Sequence, residues 1–263
     1  MVLFAGVSDV KRLKRLLLSL ADTGLRVGWL SDQLERWPLP RAARLLDELC
    51  DENERSDPEA REALLAVALY LVSRGPSPVV DRLRDEAEAR RLLGLSRLLR
   101  RAPAPVMVDR PASELPVPDY GAGRELTLGE RRSLARKPSR RSFDKLLSDP
   151  HPLVIRLLLQ NPKLTEDDVV RLVSRRPARA EAMAEIAQAV RWLSRSRVRL
   201  AIVLNPGSPP EMAIPLLPVC KRTELKEVVR ATETSMVLRA TALELLERRP
   251  PIKEPDLAEA VLQ

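Results

Sequence analysis

The sequence predicts an all-α fold, a helical repeat array preceded by a separate helical domain, from three observations. A short apolar helix tail running into proline occurs three times, as RSLARKP at 132–138, IRLLLQNP at 155–162 and VRLAIVLNP at 198–206. Each is followed by a polar gap and another amphipathic stretch, and a unit of that size must stack on its neighbours to bury its apolar face. Of the 263 residues, 44% are apolar but only 3% aromatic, so the core is built of Leu, Val, Ile and Ala, which interdigitate well between helices. Apolar residues also recur at three- and four-residue spacing along most of the chain.

Taken in order, the residues from Ser8 to about Arg101 predict five or so helices. The first, to about Ala21, sets Val10, Leu13, Leu17 and Leu20 on one face, a core stripe in preference to a membrane-lying surface. Breaks are expected at Asp22-Thr23-Gly24, at Pro38 and Pro40, between Asp51 and Asp57, and at Gly75-Pro76-Ser77-Pro78. Ala43, Leu46, Leu49 and Cys50 form one apolar stripe, and Leu64, Leu65, Ala68 and Leu71 the next. Asp57 before Pro58 reads as a helix cap with proline at the first helical position.

Residues 102–125 change character, with Pro103, Pro105, Pro111, Pro116 and Pro118 followed by Gly121 and Gly123. That density of proline forbids regular helix and favours an extended connector. Val106, Met107, Val108, Leu115, Val117 and Tyr120 give it an apolar side, which predicts docking on the folded body. Three segments result: an N-terminal helical domain at 1–101, a proline-rich linker at 102–125 and a repeat domain at 126–263.

Within the repeat domain, Pro138, Pro162 and Pro206 are 24 and 44 positions apart, so the longer interval holds two units, with a further boundary at Arg176-Pro177. Thr165 and Ser208 are placed as helix caps. Val237 to Arg249, then Pro250, reads as a degenerate last copy that closes the stack.

Asp149-Pro150-His151-Pro152-Leu153-Val154-Ile155-Arg156 resembles the helix-start phrase of HEAT-like repeats, in which aspartate and proline precede a valine and an arginine. The 24-residue interval and LTEDDVVRLV at 164–173 resemble the bacterial leucine-rich-repeat variant family still more closely. The resemblance spans roughly residues 126–249 and implies a right-handed α-solenoid of short paired helices. Some members of that family hold an iron-sulfur cluster on cysteines ahead of the repeats. Here Cys50 is the only cysteine before the linker, so no cofactor is carried over. DNA-alkylation-repair glycosylases use similar repeats around DNA, but no aromatic and carboxylate set here matches their active sites, so that comparison implies at most a binding mode.

The residue inventory argues against catalysis. His151 is the only histidine and sits between prolines in a helix-start phrase, where capping or exposure explains it. Histidine-based triads and HExxH zinc sites therefore lack their residues. There is no GxxxxGK[ST] loop, and the single GxG, Gly121-Ala122-Gly123, follows no predicted strand. Glu166-Asp167-Asp168 opens a helix, where carboxylates complement the dipole. Catalytic, cofactor and metal residues are accordingly expected to be none. Cys50 and Cys220 lack CxxC partners, which points to a reducing cytoplasm. The runs VLFAG and LLLSLA are shorter than the ~7–15 residues of a signal-peptide core, and no stretch approaches the ~20 residues of a membrane span.

Charge is the functional clue. The formal net charge is +8, and residues 124–206 carry 18 Lys and Arg against 9 Asp and Glu. Arg132, Arg156, Arg199 and Arg239 recur in register and are expected to form an inter-repeat ladder onto carboxylates or helix ends. The remaining cations cluster at repeat boundaries: Arg131, Arg136, Lys137, Arg140 and Arg141, then Arg175, Arg176 and Arg179, then Arg191, Arg195 and Arg197. Boundaries that repeat would align these into a basic stripe, the candidate binding surface. Trp192 beside Arg191 and Arg195 is the one stacking candidate, though its size suits the core. The sequence thus predicts a non-enzymatic cytoplasmic bacterial scaffold that binds a protein partner, an acidic one if the stripe is used. Non-catalytic nucleic-acid binding by the same stripe is the alternative.

Overall fold

The computed structural model describes residues 9–105, 114–137 and 139–250. The VLFAG run, Val106, Met107, Val108, Pro111, Pro138 and positions 251–263 lie outside them, as do the side chains of Arg140 and Arg141. Among the described residues there are sixteen α-helices and no strand, as the composition and periodicity predict.

The first six helices are α1 (Asp9–Ser19), α2 (Thr23–Arg36), α3 (Leu39–Glu54), α4 (Pro58–Arg74), α5 (Pro78–Arg90) and α6 (Leu93–Leu98). Their starts are written in the sequence. Asp22 accepts from the Gly24 and Leu25 amides, Asp57 from those of Glu59 and Ala60, and Ser77 from that of Val80. Pro58 and Pro78 occupy the first helical turn, where a missing N–H leaves nothing unsatisfied. Gly75, at φ 59°, ends α4 in a conformation that disfavours a side chain. The break between α5 and α6 has no such signal, because Arg91 takes the left-handed conformation at φ 55° without being glycine.

Helix α4 is the hub. Every residue from Ala63 to Val72 is buried, so the helix is apolar all round and has neighbours on all sides. Helices α1, α2 and α3 cover it from the amino-terminal segment. From the later segment come α11, α12, α14 and a 3₁₀ helix, whose ranges follow.

That later segment comprises α7 (Leu128–Arg136), α8 (Arg140–Leu147), α9 (Pro152–Leu159), α10 (Glu166–Val173), α11 (Ala180–Ala187), α12 (Val190–Leu193), α13 (Ser196–Leu204), α14 (Pro210–Ala213), the 3₁₀ helix Ile214–Val219, α15 (Arg222–Arg230) and α16 (Met236–Arg248). Helix α9 lies between α7 and α11, while α13 contacts both α10 and α15. The short α12 and α14 are inserted between members of the second series.

The Asn-Pro pairs that close two of the repeated phrases have a physical purpose. Asn161 is buried after α9 and its amide donates to the carbonyls of Ala135 and Arg136 at the end of α7, at 3.1 and 2.9 Å. Asn205, buried after α13, donates to Val173 and Arg175 carbonyls at the end of α10, at 2.6 and 3.0 Å. Each asparagine oxygen also accepts the amide two residues ahead, Lys163 or Gly207, which turns the chain. An asparagine thus caps carbonyls at the end of an earlier helix, α7 or α10, on which its own helix packs. Asn161→Ala and Asn205→Ala are each expected to lower stability by about 1–3 kcal/mol, the cost of stranding buried carbonyls. Urea denaturation of each variant reads this directly.

Other expectations divide. Thr165 caps α10 in a reciprocal box with Asp168, and His151 caps α9 by accepting the Leu153 amide at 3.2 Å. Ser208 is not a cap: α14 starts at Pro210, and the Ser208 hydroxyl turns back to the Ile202 carbonyl of α13. In the predicted arginine ladder, Arg156 grips Glu185 of α11 at 2.7 and 2.8 Å, and Arg199 donates to the Leu193 and Ser194 carbonyls at the end of α12. Arg132 and Arg239 make no corresponding contact among the described residues, and the buried Nε of each lacks a partner. Helix α16, the expected last copy, is followed by buried Arg249, which donates to the Cys220 and Pro218 carbonyls. Burial pulls its pKa down to about 10, with Arg61 adding repulsion.

Candidate binding surface

Asp149 organises the junction of α7, the turn before α9 and Tyr120. It is fully buried and accepts from Arg131 of α7 at 2.8 and 2.9 Å, from the Tyr120 hydroxyl at 2.7 Å and from the His151 amide at 2.9 Å. Tyr120 belongs to the proline-rich linker, so the described part of the linker docks through a half-buried tyrosine whose hydroxyl reaches buried Asp149. Burial, then the hydrogen bond to the Asp149 carboxylate, raises the Tyr120 pKa. Arg131 is therefore corrected from surface residue to internal ion-pair partner, at only 7% exposure.

Arg179 is corrected in the same sense. It is half-buried, and its guanidinium donates to the carbonyls of Asp149 (2.9 Å) and Pro150, joining the α10–α11 turn to the start of α9. Burial lowers its pKa. The other predicted residues are exposed where their side chains are described. Arg136 and Lys137 end α7, and Arg140 and Arg141 open α8 with side chains outside the described set. Arg176 pairs with Glu233, and Arg197 with Asp167 at 2.6 Å. Arg191 lies over the Trp192 ring at 4.8 Å, and Arg195 precedes α13. Trp192 itself is core: it is buried and its indole N–H donates to the Leu159 carbonyl at 2.7 Å.

The structure brings the second cluster together. Arg175, Arg176 and Arg179 line a cleft of about 600 Å³ whose other walls include Leu115, Pro116 and Pro150. Arg176 also borders a neighbouring cleft of about 290 Å³ that contains Arg197, so one residue of the third cluster adjoins the second. Arg136, Lys137, Arg191 and Arg195 line neither. Arg175 differs from its two neighbours in the main cleft. It is exposed and, among the described residues, makes no hydrogen bond or ion pair with its side chain. Partial burial of its stem, then Arg171, lowers its pKa.

Sequence reasoning missed an aromatic cleft at the amino-terminal end. Trp29 and Trp37 meet edge to face at 5.9 Å, with Arg41 over Trp37 at 5.9 Å, in a cleft of about 280 Å³. Trp29 on α2 and Trp37 just past its end, eight positions apart, were the available signal. Both cysteines are buried and free, and burial raises each thiol pKa, that of Cys220 to about 12. Among the described residues no group of three His, Cys, Asp or Glu is placed to hold a metal, and no helix is long and apolar enough to cross a membrane. Comparison of the chain with protein-family models, curated proteins and solved structures gives no match.

Proposed function

We propose that the protein is a non-enzymatic scaffold, a HEAT-like repeat array that binds another protein in a bacterial cytoplasm. The alternating contacts of α7, α9 and α11, and of α10, α13 and α15, support the repeat-array reading, as do the two asparagine caps at equivalent positions. The observation that carries the binding reading is the Arg175 cleft, which is open, partly apolar and furnished with a cation that makes no ion pair among the described residues.

Nucleic-acid binding is the second reading, favoured by exposed Arg136, Lys137, Arg175, Arg191 and Arg195, none of which has an acidic partner among the described residues. Against it, Arg124, Arg131, Arg156, Arg171, Arg176 and Arg197 are all neutralised within the molecule. Titration against duplex DNA and single-stranded RNA at low and near-physiological salt separates the two, because phosphate-driven binding falls steeply with salt. The scaffold reading expects binding to vanish at near-physiological salt. Retention of tight binding there would replace it. Reversing Arg175, Arg176 and Arg179 together is no clean test, since losing Arg179 also uncaps the Asp149 and Pro150 carbonyls.

A further inference from the structure

We propose that the cleft around Arg175 takes an extended acidic peptide from a partner protein, with a carboxylate paired to the Arg175 guanidinium and the flanking chain laid along Leu115, Pro116 and Pro150. The inference rests on the scaffold reading and gives it a ligand chemistry.

Three features point to that chemistry. The first is the distribution of counter-charge. Arg176 has Glu233, and Arg179 has Glu181 at 3.6 Å and two backbone carbonyls, whereas Arg175 makes no ion pair, with Asp144 attracting it and Arg171 and Arg179 repelling it. A carboxylate placed there would supply the missing acceptor and relieve the repulsion, and a guanidinium suits it because two parallel N–H groups match its two oxygens.

The second is that the arginine is held in place. The Arg175 carbonyl is gripped by the buried Asn205 amide, and Pro177 follows within two residues. The backbone that presents the cation is thereby fixed before any ligand arrives, which reduces the ordering required on binding.

The third is the nature of the walls. Leu115, Pro116, Pro150 and Ala178 offer apolar surface without an aromatic ring, so bases would find nothing to stack on. Glu181 also lines the cleft, and Asp144 lies close enough to influence Arg175. Both are paired within the molecule, Glu181 with Arg179 at 3.6 Å and Asp144 with Arg171 at 2.8 Å, so neither takes Arg175 into an ion pair. The volume, about 600 Å³, falls in the ~300–1,000 Å³ range of ligand clefts.

Fluorescence anisotropy with a labelled decapeptide of Asp, Pro and Leu tests the proposal, with the Asn analogue of that peptide and a duplex DNA as comparators. The Asp peptide is expected to bind more tightly than the Asn peptide. Arg175→Gln should weaken it about tenfold, the loss of one charge-assisted pair, and Leu115→Asp should weaken it without touching the arginine. Arg191→Gln should leave it unchanged, and circular dichroism should show all three variants folded. Equal affinity for the Asp and Asn peptides, no effect of Arg175→Gln, or no binding at all would overturn the proposal. A partner cross-linked equally well by wild type and Arg175→Gln would remove the acidic-peptide cleft while leaving the scaffold reading intact. Tight DNA binding at near-physiological salt, lost in Arg175→Gln, would remove both.

Discussion

Asp149→Ala is expected to lower the free energy of unfolding by about 3–5 kcal/mol, the range for removing one partner of a buried ion pair. The carboxylate is fully buried and serves three elements at once: Arg131 of α7, Tyr120 of the linker and the His151 amide at the start of α9. Deleting it leaves the Arg131 guanidinium buried beside a cavity, and an uncompensated charge costs far more there than at the surface. The phenol of Tyr120 also loses its acceptor, so the linker should loosen together with the helix pair. Asp149→Asn keeps the shape but can accept from only one of Tyr120 and His151, because the phenol donates to one carboxylate oxygen and the His151 amide to the other, and it removes the charge opposite Arg131. Chemical denaturation should therefore rank wild type above Asn and Asn above Ala. An alanine variant within about 1 kcal/mol of wild type, the value of an exposed pair, would show that water reaches Arg131. Limited proteolysis near residues 114–120 gives a second readout, with faster cleavage expected in either variant.

The sequence shows Asp149 but not what it does. The Asp-Pro-His-Pro phrase marks a helix start, and His151 indeed caps α9. Nothing in the spacing of Arg131, Tyr120 and Asp149 reveals that they meet, because the contact depends on how the linker lies across α7 and α9. The same limit explains the arginines. Arg131, Arg175 and Arg179 look alike in the sequence, yet one is buried against a carboxylate, one is exposed without a partner and one caps carbonyls of a preceding turn.

Local signals were read more successfully. Asp57-Pro58, the Thr165 cap and the Gly75–Pro78 break are encoded within a few residues, and the structure has them where expected. The α5–α6 break escaped because Arg91 adopts a glycine-like conformation that composition does not announce. The phrase ending in Asn-Pro was visible as a repeat, but its reason was not. Proline draws attention as the helix breaker, while the neighbouring asparagine makes the long-range bonds, reaching 25 residues back at Asn161 and 30 at Asn205.

Glu54→Ala is the second large effect expected, again about 3–5 kcal/mol by loss of a buried charge partner. Glu54 ends α3 at 4% exposure and accepts from Arg97 of α6 at 2.6–2.9 Å and from Arg248 of α16. Two arginines from helices far apart in the chain, α6 and α16, thus converge on one carboxylate. The adjacent Asn53 donates to the Pro218 carbonyl at 2.9 Å, and Arg100 pairs with Glu244 at 2.8 Å, so the last helices are fastened to the first ones along this seam. Loss of Glu54 leaves Arg97, at 7% exposure, without its acceptor, whereas the more exposed Arg248 can turn to water. A shared core around α4 predicts that wild type and variant both unfold in one transition, with the variant shifted to lower denaturant at an unchanged slope. A variant that unfolds in two steps would show that the seam, more than the apolar contacts on α4, couples the amino-terminal helices to the later ones. An unshifted midpoint would show that Arg97 finds another acceptor and that the pair contributes little.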